Sequence, residues 1–143
     1  MSFSDFITNH GKKVSRNAFI HLVQVARVDG KINKDELELL HKEGKKFGLT
    51  DPEIDRIILS EKEHHYHPPY SLEDKFEHLY NIAEMILADE VVTEKEKKMI
   101  RRFAIEVGFR YDSIEDLLIM LFEGIERGDD EGKILKAYRK KHL

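Results

Sequence analysis

The octet Asp29-Gly30-Lys31-Ile32-Asn33-Lys34-Asp35-Glu36 returns sixty positions later, without a gap, as Asp89-Glu90-Val91-Val92-Thr93-Glu94-Lys95-Glu96. The register holds on both sides: Leu22 matches Ile82, Val25 matches Met85, Leu40 matches Ile100, Phe47 matches Val107, Gly48 coincides with Gly108, and Ile54 with Ile114. A repeat of this length means one supersecondary unit used twice. At 143 residues the chain suits one domain with one substantial core.

Within each copy the apolar spacing is helical. Val14, Ala18, Leu22, Val25 and Ala26, with Ile20, Val23 and Val28 added, describe a helix apolar nearly all round, and Leu72, Phe76, Leu79, Ile82, Ala83, Ile86 and Leu87 repeat the rhythm. A second helix follows each turn. Residues 33–47 put Leu37, Leu40, Gly44 and Phe47 on one face, and residues 93–107 do the same with Met99, Ile100, Phe103, Ala104 and Val107. Gly48 and Gly108 stand where a left-handed residue closes a helix. A third helix runs through Ile54, Ile57 and Ile58 in one copy and through Ile114, Leu117, Leu118, Leu121 and Phe122 in the other. Asp51-Pro52-Glu53 and Ser113-Ile114-Glu115-Asp116 mark the two starts.

Pro68-Pro69 forbids a helix through residues 61–70, which form the linker between a first half of about 14–60 and a second of about 71–122. A last helix covers about 133–142. No strand signal of useful length occurs. These patterns predict an all-α, single-domain helical bundle, a duplicated helix-turn-helix unit with pseudo-twofold symmetry and its two long apolar helices packed at the centre.

Composition excludes more than it identifies. There is no cysteine, so disulfides and thiolate chemistry are absent by inventory. A net charge of -4 gives no reason to expect a polyanion partner. The basic helices lack interleaved aromatics, so nucleic acid is not expected. The start of the chain carries no signal pattern and no window reaches the roughly 18 apolar residues of a membrane span, so a cytoplasmic protein is expected. No nucleophile signature, phosphate loop or metalloprotease motif occurs, and the reading is non-enzymatic. Capping accounts for Ser71 and Ser113.

The motif Asp29-Gly30-Lys31-Ile32-x-x-x-Glu36, its second copy ending in Glu96, and the glycine twelve residues beyond each glutamate resemble the TerB-like family of tellurite-resistance and co-chaperone proteins. The resemblance spans about residues 14–122. It implies an all-α domain of duplicated helix pairs, a part in stress response or scaffolding, and acidic loop positions that bind a divalent metal. The chain departs from that pattern in lacking the J-domain tripeptide, and Glu90 replaces Gly30 in the second copy.

Four carboxylates, Asp29, Glu36, Asp89 and Glu96, would suit a hard cation, calcium or magnesium before zinc. The octet resembles the second half of an EF-hand loop, but Val25 and Arg27, or Met85 and Leu87, occupy positions that such a loop needs for oxygen ligands. Against the metal stands capping: Asn33-x-x-Glu36 and Thr93-x-x-Glu96 read as capping boxes, each glutamate reaching back to the amide of its cap residue. Asp29 and Asp89, at the carbonyl-rich end of a helix, are less fully explained by capping; an Asx turn would account for them, with the metal as the alternative. A second metal candidate is His64, His65 and His67, whose spacing leaves two imidazoles on one side. The basic run Lys136, Arg139, Lys140 and Lys141 would suit an acidic partner or peripheral contact with an anionic membrane. Taken together, these features predict a module that binds a protein partner. The rivals are a metal-dependent hydrolytic or sensing enzyme using the four carboxylates, and peripheral membrane binding.

Overall fold

The computed structural model describes residues 16, 18–27, 31–60, 71–88 and 91–143. All regular structure among them is helical: α1 (residues 18–26), α2 (Lys34–Lys46), α3 (Asp51–Ser60), α4 (Leu72–Leu87), α5 (Glu94–Glu106), α6 (Ile114–Glu126) and α7 (Glu131–His142). One 3-10 turn, Tyr111–Ser113, precedes α6. Residue contacts gather into two compact units, residues 1–66 and 67–143.

In the first unit α2 and α3 form an antiparallel hairpin, and α1 lies on them through Phe19, whose ring meets that of Phe47 edge-on at 6.1 Å. Ala18, Phe19, Leu22, Val23 and Val25 are buried, as the all-round apolar pattern predicts. Arg27 Nη2 donates to the Ile58 carbonyl at 2.9 Å, tying the end of α1 to the last turn of α3, where a cation also suits the helix dipole. Leu37, expected on the inward face of α2, is 37 % exposed. Within α2 the buried Glu43 is paired with Lys46 one turn on, at 3.5 Å.

In the second unit α4 packs on α5, α6 and α7, and consecutive helices form hairpins. Phe76, Leu79, Ile82, Ile86, Ile100, Phe103 and Leu117 are wholly buried, so α4 supplies the middle of this core. Tyr138 of α7 closes it, its ring against Phe76 and Phe109 and its hydroxyl 3.3 Å from Ser113 Oγ. Burial of a tyrosine with its hydroxyl paired is what fixes α7 in register.

Local chemistry accounts for the helix ends. Asn33, Ser71, Thr93 and Asp130 each accept, through the side chain, the amide three residues on. Thr50 does the same for Glu53, whose carboxylate returns to the Thr50 amide and hydroxyl. Asp130 explains why α7 begins at Glu131, ahead of the expected residue 133. Ser113 differs from expectation: its side chain makes no cap bond, and its buried hydroxyl instead donates to the Arg110 carbonyl at the start of the 3-10 turn.

Candidate functional site

The two glutamates of the repeated octet sit at helix starts. Glu96 is wholly buried, and one of its carboxylate oxygens accepts from both the Thr93 amide and the Thr93 hydroxyl at 3.0 Å, while its own amide donates to Thr93 Oγ1 at 3.1 Å. That is a complete reciprocal box. In the first copy the Glu36 amide donates to Asn33 Oδ1 at 2.8 Å, and the Glu36 carboxylate takes the Asn33 side-chain amide at 2.6 Å. The cap residue explains the difference: asparagine brings an N–H of its own, which threonine lacks. A carboxylate turned back onto its cap and enclosed, as in Glu96, does not fit a cation site that must also admit a solvated ion.

Asp29 and Asp89 lie outside the described residues, as do His64, His65 and His67. Among the described residues no group of three or more histidine, aspartate or glutamate side chains is arranged to hold a metal ion.

The basic run on α7 is partly engaged. Arg139 pairs with Glu73 of α4, and Lys141 Nζ lies 2.9 Å from Asp116 of α6. These contacts hold α7 against the unit, and Asp116 is kept below the usual carboxylate range by Lys141 first and His142 second. Lys136 and Lys140 are exposed.

A more concentrated feature lies on the α5–α6 hairpin and was not singled out by sequence pattern. Arg101 Nη2 of α5 meets Glu115 Oε1 of α6 at 2.8 Å on the outer face. One turn further along α5 is Ile105, 38 % exposed, and one turn along α6 is Ile119, 52 % exposed. Tyr111, one turn before Glu115, is 82 % exposed. Residues four apart share a helix face, so Ile105 follows Arg101 on α5 and Ile119 follows Glu115 on α6, in opposite directions along the hairpin, while Tyr111 stands in the 3-10 turn that joins the two helices. Core-periodic residues dominate the sequence of both helices, which is why these outliers were indistinct; the signal was that Ile105 and Ile119 fall out of phase with the buried positions.

Elsewhere in this unit α4 and α7 bring acidic groups together. Burial raises the pKa of Glu84, opposed by its hydrogen bond from Tyr80. Glu131 is likewise raised, by burial and then by Glu77, Glu84 and Asp130. The Tyr80 hydroxyl is pushed up to about 12 by the same burial and by Glu84.

No protein-family model, curated protein or solved structure matches the chain.

Proposed function

We propose that the chain is a non-enzymatic, TerB-like helical module that binds a protein partner through the outer face of the α5–α6 hairpin. The observation that carries this reading is the set Ile105, Tyr111 and Ile119, three large exposed side chains along the hairpin that the Arg101–Glu115 pair joins. An exposed tyrosine and isoleucines beside an arginine have the composition of an interface centre rather than of a solvated face. Partner proteins gain from covering such side chains because the apolar area leaves water at about 25 cal/mol per Å². The internal duplication with pseudo-twofold symmetry and the place in stress response or scaffolding belong to the same proposal, which rests for them on the octet repeat and the family resemblance.

The capping geometry of Glu96 weighs against the rival reading as a metal-dependent enzyme, since its carboxylate is engaged inside the protein. The ion pairs of Arg139 and Lys141 weigh against a membrane surface on α7 in the same way.

Quantitative co-purification from the source cells tests the proposal, comparing the wild type with Tyr111→Ala combined with Ile119→Ser and with Lys136→Ala. Partners retained by wild type and Lys136→Ala but depleted tenfold or so by the double change, about 1.4 kcal/mol of binding, are the expected result. Equal recovery by all three proteins would remove the α5–α6 face from the interaction.

A further inference from the structure

In the first unit His41 of α2 is held between two aspartates of α3: its Nδ1 lies 2.8 Å from Asp51 Oδ1 and its Nε2 lies 2.8 Å from Asp55 Oδ1. An ionised carboxylate only accepts hydrogen bonds, and a neutral imidazole has one N–H, so it can satisfy one of these contacts but not both. Both are made only when the ring carries two protons. Asp51 and Asp55 are also four apart on one helix face, where like charges repel, and an imidazolium between them offsets that repulsion. We infer that His41, Asp51 and Asp55 form a proton-dependent clamp that closes the α2–α3 hairpin while the ring is protonated and loosens it when the ring is neutral.

A competing cation stands beside the clamp. Lys45, one turn along α2, reaches Asp51 at 3.3 Å, so Asp51 keeps a partner when the ring loses its proton while Asp55 loses its charged one. Asp51 sits below the usual carboxylate range, through its bond to His41 first and through Lys45. From either end of α1, Arg16 is directed to Glu53 and Arg27 to the Ile58 carbonyl. His41 is 23 % exposed and the aspartates are more so, which leaves the ring accessible to protons. The second unit offers a contrast. His142 places one nitrogen 2.7 Å from Asp116, a contact that a neutral tautomer also makes.

The test is nitrogen-resolved NMR of the imidazoles in the full chain, with His41 assigned by comparison with His41→Gln, together with amide hydrogen exchange of α2 and α3 from about pH 5 to about pH 8, the range in which histidine changes charge. The expected spectrum shows two protonated nitrogens on His41 at the acid end. Protection of α2 and α3 in wild type relative to His41→Gln should be about fivefold there, the effect of surface charge pairs, and should fall toward unity as the ring loses its proton. Asp55→Asn should flatten this pH dependence in a chain that keeps both the imidazole and Asp51. A single protonated nitrogen at the acid end, or a wild-type advantage that does not change with pH, would overturn the clamp.

Discussion

At the scale of single residues, the repeated octet resolves into side chains with separate tasks. Glu96 completes a cap: Ala at this position leaves the Thr93 amide and hydroxyl without their acceptor, whereas Gln keeps the acceptor oxygen that a capping box needs. Glu96→Ala should therefore cost about 1–2 kcal/mol in chemical denaturation and Glu96→Gln well under that, with calcium or magnesium present or absent. Equal losses for the two changes, appearing only in the presence of cation, would point to ligation. Glu84 has the opposite linkage. Its folded pKa lies above the ordinary 4.5, so the folded chain holds a proton that the unfolded chain releases, and stability falls as pH rises through that range. Because Glu84 keeps much of its contact with water, the effect is small: Glu84→Gln should gain slightly on wild type between acid and neutral pH, the difference vanishing below 4.5, as thermal melts against pH would register. Asp116 and Asp129, held low by Lys141 and Lys133 respectively, contribute in the other sense: their effect is present above 3.8 and lost as pH falls.

At the scale of elements, one hairpin joint is used three times. Gly48, Gly108 and Gly128 have φ of 86°, 100° and 84°, and in each case the residue after the glycine donates to the carbonyl five residues back, at Gly44, Ala104 and Gly124. Ten residues beyond each of those carbonyls a buried isoleucine follows: Ile54, Ile114 and Ile134. The third use, twenty residues after the second, lay outside the sixty-residue echo, because its flanking sequence shares little beyond the two glycines and the isoleucine. At Gly44 and Gly124 the helices approach so closely that an added Cβ would stand 2.6 Å from Ile54 Cδ1 and 2.7 Å from Ile134 Cδ1. Alanine gains about 1 kcal/mol of helix propensity over glycine, but overpacking costs about 1–3 kcal/mol. Gly44→Ala should thus destabilise the first unit in urea unfolding, and the same change made on an Ile54→Ala background should be neutral or stabilising. Parallel losses in both backgrounds would place the cost elsewhere than in this contact.

For the molecule as a whole, helix positions and the buried residues were legible from periodicity, because a 3.6-residue rhythm records which face leaves water. Gly48 and Gly108 were legible too, since only a left-handed turn calls for glycine so regularly. Contacts across a hairpin were not. His41 meets Asp51 and Asp55, and Arg101 meets Glu115, only once two helices lie side by side, and spacing along the chain does not encode which charged residues then meet. Ser113 follows the same rule: its spacing suits a cap, but its buried partner, Tyr138, is brought to it by α7. The proposed binding face depends on the same pairing of α5 with α6. In-cell photo-crosslinking from a reactive residue at position 111, with position 136 as reference, tests it most directly. Discrete protein adducts from 111 that vanish with Ile119→Ser and are absent from 136 are predicted; adducts from 136 alone, or none from 111, would contradict a partner seated on the α5–α6 hairpin.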